Sequence, residues 1–358
     1  MKKVLQVTLF DNGNIGNRLQ NYALYTLLTL RGCEVTNLKD RTDYVPDTKV
    51  RIKNQIKHIL GIFGSKKYKA KYQLYKGDLK RREALKNFSK SFIPNVIDAS
   101  NGIDNIDFSS FDLGIVGSDQ VWHHWNDDDN ELPYFYLEFL PEEKRNAYAA
   151  SFGFDEFPAT DLEQHKYGLS HMHHISCREQ SGCNLVKSVI GNEIPHVLDP
   201  TLLLSPDDWR ELEDHANDYV RSLHDYVFIY FLGTITDEYK REIEAKAKGK
   251  KIISFTDWNN KDIWDCGPVE FLYLIDHCDF FLTDSFHGTV FATLFNKDFT
   301  VFRRKQEGFE KMFSRINELL ISTGQEEKAY DGSDKFDGIE NFTVLQKRSL
   351  DYIDSLLK

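Results

Sequence analysis

Residues 278–296 read CDFFLTDSFHGTVFATLFN, and this stretch decides the fold. The apolar run 280–283 predicts a buried strand, 284–289 a polar turn, and the remainder a helix carrying Val290, Phe291, Leu294 and Phe295. A short apolar run that passes through a turn into a helix is the repeating unit of a parallel α/β sheet. The turn brings Asp284, Ser285, Phe286, His287, Gly288 and Thr289 to a helix N-terminus, where unpaired amides and the helix dipole favour an anion. Ligands of open α/β sheets sit outside the carboxyl ends of the strands, which is this position. Ser285 and Thr289 offer hydroxyls, Gly288 lets the backbone come close, and His287 can carry a proton near neutral pH. The plainer alternative is a capped helix with an incidental histidine.

The same unit recurs at the start of the chain. Residues 3–10 form an apolar, Val- and Leu-rich strand, followed by the loop DNGNIGNRLQ, a helix over 21–30 and a second strand over 33–38. The loop lacks the G-x-G-x-x-G spacing of a dinucleotide fingerprint. Asn14, Asn17, Arg18 and Gln20 could instead bind sugar hydroxyls or phosphate, or simply form an Asn/Gly turn. Further on, FDLGIV (111–116) reads as a strand that stops at GSDQVW, so Ser118, Asp119, Gln120 and Trp122 follow a strand end. Asp119 could accept a proton from a substrate hydroxyl, or cap the next helix. The acidic, aromatic run 123–140 reads as a loop over a cleft. Its Asp127–Asp129 triplet is a poor metal site, because consecutive carboxylates point apart. His171 and His173 share one face of an extended chain but lack further ligands at suitable spacing. A strand over 146–152, another near 173–177 and a helix over 182–190 follow. Arg178, just past a strand end, is a candidate for anion capture or a surface ion pair.

The second half restarts the pattern, with strands over 226–231, 251–255 and 300–302 and helices over 236–248 and 268–275. Arg304 and Lys305 follow the last of these strands, and a helix over 309–320 carries Arg315. Two prolines and an acidic cluster near 199–208 mark the boundary between halves. The divisions expected are 1–205, 206–330 and a terminal segment, 331–358, whose helix over 343–357 packs back on the body. Two α/β domains imply a cleft between them.

The chain of 358 residues carries a net charge of −11, which argues against general nucleic-acid binding. That total hides an asymmetry. Between residues 49 and 90, fourteen Lys and Arg face two acids, a net +12, so the rest of the chain carries −23. Ile52, Ile56, Ile59, Leu60 and Phe63 recur among these charges at helical spacing. A basic amphipathic helix suits an anionic membrane surface or an anionic ligand, and is otherwise a solvated face. The five scattered cysteines read as reduced thiols of a cytoplasmic protein, and no apolar run is long enough to cross a membrane.

Several stretches, in this order, resemble the polysaccharide pyruvyl transferase family: NIGNRLQNYAL (14–24), VGSDQVW (116–122), YAASFG (148–153), SCREQSG (176–182), VLDPTLLL (197–204) and TDSFHGTVFATLF (283–295). The resemblance implies a GT-B-like fold, two Rossmann-like domains facing across a cleft, with the acceptor on the first and phosphoenolpyruvate on the second. It implies transfer of a pyruvyl group from phosphoenolpyruvate to two hydroxyls of one sugar, giving a cyclic ketal and phosphate, with no cofactor and no metal. The acceptor it implies is a surface-polysaccharide repeat unit on a lipid diphosphate carrier. The family's Arg-Leu-His triplet at the turn here reads Ser285-Phe286-His287, so another cation must replace the arginine: Arg304, Lys305 or Arg315. Arg178 matches the family's second arginine and is assigned the donor carboxylate. His287 is assigned the role of acid, or of donor to the departing phosphate, and Asp119, or else Asp284, that of base. A nucleotide-sugar glycosyltransferase of GT-B shape and a non-catalytic sugar-binding relative are the alternatives.

Overall fold

The computed structural model describes the chain except residues 11–12, 41–44, 126–129, 307–312 and 335–338. Its first sheet contains β1 (Lys3–Val7), β2 (Glu34–Lys39), β3 (Val96–Asp98), β4 (Leu113–Val116) and β5 (Arg145–Ala147) in the order β3-β2-β1-β4-β5. Its second contains β6 (Tyr226–Tyr230), β7 (Lys251–Ser254), β8 (Phe280–Thr283) and β9 (Phe299–Val301) in the order β7-β6-β8-β9. All pairings are parallel. Central β4 and β6 are buried along their whole length, which is why their sequences do not alternate. Strand order reverses between β1 and β4 in one sheet and between β6 and β8 in the other, and ligands bind at such switch points. The carboxyl ends of all four strands open on one cleft, the GT-B-like arrangement of two Rossmann-like halves.

One apolar core runs through both halves. It joins Val4 and Ile115 of the first sheet to Phe228 and Phe281 of the second. Trp209, fully buried in the connecting helix Pro206–Glu213, wedges between Tyr22 (ring centroids 5.6 Å apart) and Phe291 (4.9 Å). The expected boundary at 199–208 is therefore a packed joint between the halves. The helix Phe342–Leu356 returns to the first half, where the Ser349 hydroxyl accepts from the Leu198 amide at 2.8 Å and Tyr352 donates to the Ala147 carbonyl at 3.1 Å.

The first helix differs from the sequence reading. It spans Ile15–Leu30 and starts at the Asn14 cap, whose side chain accepts from the Asn17 amide at 3.1 Å. Asn17, Arg18 and Gln20 are thus helical, because the asparagine cap begins the helix inside what looked like a Gly/Asn loop. The basic segment forms a hairpin of two helices, Thr48–Ile62 and Lys66–Phe92. The run 123–140 includes a short helix, Glu131–Phe135, whose Leu132 and Phe135 enter the core; Asp127–Asp129 lie outside the described residues.

Ser349 is fully buried and also donates to the Leu345 carbonyl at 2.6 Å. Ser349→Ala strands the Leu198 amide and should lower the unfolding free energy by about 1–3 kcal/mol. The expected readout is a lower urea midpoint at unchanged slope. An unchanged midpoint would show that this contact does not hold the terminal helix.

Candidate active site

β8 ends at Thr283, and two residues separate it from the helix Phe286–Leu294. The Ser285 hydroxyl caps it by accepting from the Gly288 amide at 3.3 Å, while the Thr283 hydroxyl accepts from the Ser285 amide at 3.0 Å. Thr289 folds its hydroxyl back onto the Ser285 carbonyl at 3.0 Å. The turn therefore satisfies much of itself. Of the amides expected to hold an anion, those of Phe286 and His287, the first two of the helix, remain.

His287 meets the first half of the molecule. A methyl group on Gly16 would lie 2.1 Å from its Nδ1, so only glycine fits at that point of the first helix. Its Nε2 is 3.8 Å from Asp199 Oδ2, an ion-pair distance too long for a hydrogen bond. Asp199 is wholly buried and tied down from every other side. One oxygen accepts from the amide and hydroxyl of Thr201 at 3.0 and 2.7 Å. The other accepts from the Ser118 hydroxyl at 3.1 Å and from Arg178 at 2.8 Å. Burial pushes its pKa up, but the adjacent His287 and Arg178 outweigh burial and hold the carboxyl well below the usual range.

The cleft has a volume of about 400 Å³. The first half lines it with Asn14, Asn17, Asp119, Gln120 and Trp125, and the second with Leu232, Ser285, Phe286, His287, Arg304 and Arg315. Its walls therefore differ: one offers a carboxylate and amides, the other two guanidinium groups. Arg304 leaves β9 and lies 3.6 Å from Asp284 Oδ2. Arg315 comes from the helix Phe313–Thr323, sits over the Phe286 ring with its guanidinium carbon 5.7 Å from the centroid, and has its pKa lowered to about 10 by burial and by the neighbouring Arg178. Asp119, 3.5 Å from Arg178 and 3.4 Å from the Asn17 amide nitrogen, is depressed: burial raises it, but the charges of Arg178, His287 and Arg315 prevail.

Several expected site residues do other work. Arg178 is buried: its Nε donates to Glu179 at 2.9 Å and its Nη1 to Asp199 at 2.8 Å, while its Nη2 lies 3.5 Å from Asp119 Oδ1 and makes no hydrogen bond among the described residues. Asp284 accepts from the amides of Leu232 and Gly233, both at 2.7 Å, and with both oxygens committed it is no free base. Burial raises its pKa. Trp122 packs on Tyr136 in the core and donates to the Phe135 carbonyl at 3.3 Å. Gln20 bonds Thr8 and the Ser118 amide at 2.8 and 3.1 Å, and so shapes the strand ends without lining the cleft. Ser118 itself faces Asp199. Arg18 is buried against the Phe10 ring and bonded to Asn17 and the Leu9 carbonyl. Lys305 is exposed and sits over the Tyr239 ring, outside the cleft lining. Gly288 packs against Phe281, with no room for a side chain.

A family model described as "Polysaccharide pyruvyl transferase" matches residues 14–306. The chain belongs to the polysaccharide pyruvyl transferase family. Its members are transferases named for a polysaccharide acceptor, and the match takes in every cleft residue named above except Arg315. No curated protein matches the chain. Among solved structures, the UDP-GlcNAc 2-epimerase from Neisseria meningitidis bound to UDP-GlcNAc aligns over 99% of both chains at 11% identity and a TM-score of 0.43. The UDP-N-acetylglucosamine 2-epimerase from Rickettsia bellii aligns over 99% of this chain and 88% of its own at 10% identity and a TM-score of 0.43. Likeness at that level carries no argument about activity. In this pyruvyl transferase family member, Asp199, Glu179 and Trp125 were missed as site residues from sequence. VLDPTLLL, which contains Asp199, was itself among the family stretches and could have flagged it.

Arg178→Ala should leave two buried carboxylates unmatched and destabilise the protein by about 3–5 kcal/mol; a selective loss of ligand binding at full stability would instead make Arg178 a substrate ligand. Glu318, beside Glu179, gives a pH test. Burial and the Glu179 charge raise its pKa from 4.5 to about 7. The folded state then binds an extra proton between those values, and stability falls as pH rises through that window. Glu318→Gln should therefore stabilise the protein by roughly 2–3 kcal/mol above pH 7 and by nothing below 4.5. A pH-independent difference in unfolding free energy would refute this.

Proposed function

We propose that this protein transfers the pyruvyl group of phosphoenolpyruvate to two hydroxyls of one sugar, forming a cyclic ketal and releasing phosphate. The acceptor is a polysaccharide repeat unit carried on a lipid diphosphate at the cytoplasmic face of a membrane. The observation that carries the reading is the two-sided cleft: cations and a helix N-terminus on one wall, a carboxylate and amides on the other, His287 between them.

The donor bears a phosphate and a carboxylate. Arg304, Arg315 and the amides of Phe286 and His287 supply positive character on the wall where it would lie. Arg304 and Arg315 stand in for the arginine that the triplet lacks at Ser285. A proton delivered to the methylene carbon makes the enol carbon cation-like, and the first sugar hydroxyl adds there. Phosphate leaves with the ester oxygen, and the second hydroxyl closes the ring. Of the two hydroxyl protons released, one balances the new methyl group and the other leaves on phosphate. His287 is the acid, and Asp199, 3.8 Å from its Nε2, faces the ring with its charge. Asp119, its pKa depressed, accepts a hydrogen bond from the attacking hydroxyl and orients it. None of these steps calls for a metal.

The test is thermal shift and phosphate release with phosphoenolpyruvate, with a UDP-sugar and with neither, in the presence of candidate lipid-linked acceptors. Phosphoenolpyruvate should stabilise the protein and release phosphate only with acceptor. His287→Ala should reduce release by roughly 10²–10⁴-fold in a folded protein, and Arg304→Ala should raise the KM for phosphoenolpyruvate. Stabilisation by the UDP-sugar alone would overturn the reading.

A further inference from the structure

The hairpin of helices Thr48–Ile62 and Lys66–Phe92 is built differently from the rest of the molecule. In its first helix only Asn54 is buried. Ile52, Ile56, Ile59 and Phe63, spaced by four, three and four residues, fall on one helical face and are 51%, 52%, 51% and 84% exposed. An apolar stripe of this length on a solvent-facing helix is unusual unless something covers it. Exposed Lys53, Lys66, Lys67 and Lys69 accompany it, and the segment 49–90 carries +12 while the remaining chain carries −23. An amphipathic helix with an apolar face flanked by lysines lies in the plane of a bilayer, its side chains in the acyl boundary and its charges on anionic headgroups.

The base of the hairpin is anchored. Arg81 is buried and donates to the carbonyls of Phe255 and Ile263 at 2.6 and 2.7 Å, with its guanidinium 4.1 Å from the Phe255 ring centroid. Gly77 packs so closely on Trp258 that a methyl group would sit 2.3 Å from the indole. These partners follow the carboxyl end of β7, and the hairpin itself follows the carboxyl end of β2. It is therefore fixed on the side of the sheets where the cleft opens, with the Phe63 tip turned to solvent.

We infer that the face carrying Ile52, Ile56, Ile59 and Phe63 docks this protein on an anionic lipid bilayer and so holds the cleft mouth toward acceptors embedded there. The docking rests on exposure and charge alone; only its purpose rests on the proposed reaction. The partner is lipid, since a second copy of this chain would bring +12 against +12 if the hairpins met face to face.

The test is flotation of the full chain with vesicles of phosphatidylcholine alone and of phosphatidylcholine mixed with phosphatidylglycerol. The protein should float with the anionic vesicles only, and less at high salt. The triple variant I56S/I59S/F63S should lose at least tenfold in partitioning, and Lys53→Gln or Lys67→Gln roughly fivefold each. Circular dichroism and phosphate release on a soluble acceptor analogue should be unchanged in all three, because none touches the cleft. Absent flotation, flotation unaffected by the triple variant, or a dimer in sedimentation equilibrium that the triple variant dissociates would each overturn the inference. Loss of phosphate release with flotation intact would count against the proposed reaction and not against the docking.

Discussion

A carboxylate removed from water persists only if its charge is matched and its lone pairs are filled. Asp199 is such a group, and the site is arranged around it. Thr201 fixes one oxygen from the adjacent turn, and Ser118 after β4 and Arg178 before the helix Gln180–Ile190 fix the other. What remains of its field falls on His287, which belongs to the second half. One buried charge therefore sets the strand ends of the first sheet and the electrostatic surroundings of the imidazole facing them. Arg178 is the counterweight, its own charge shared among three carboxylates.

The two walls of the cleft follow from this division. Arg178 of the first half is held among the carboxylates of its own half, and that side faces the cleft with Asp119, Gln120 and asparagines. In the second half, Asp284 spends both oxygens on the loop after β6, and Arg304 and Arg315 reach the cleft. The acidity of the chain as a whole says little about such a site, because local placement sets the field a ligand meets. The close contact of Gly16 with His287 and the wedge of Trp209 between Tyr22 and Phe291 hold the walls together through packing.

The hairpin of residues 48–92 answers to a different constraint. Helix pairs in water normally bury an apolar stripe against a neighbour. Here the longer helix spends its buried residues, including Arg81, Leu85 and Phe88, on the body, and the shorter helix keeps its stripe outside. Stability and solvent exposure are thus separated along one segment.

The sequence by itself determined the periodicities and the order of the parts: apolar runs that end in polar turns, the family stretches from 14 to 295, the strand-turn-helix at 278–296 and the basic segment. These are local properties, and local chemistry is enough to fix them. Side-chain destination was decided by the tertiary structure. The Asn14 cap started a helix early and turned Arg18 and Gln20 inward, where Phe10 and Thr8 receive them. Arg178, expected from sequence as an anion ligand, is also the counter-ion of its neighbour Glu179 and of Asp199 and Asp119, which reach it from other turns of the first half. Whether a charge faces solvent, a substrate or another charge depends on neighbours brought from far along the chain, and only the packed core fixes which neighbours those are.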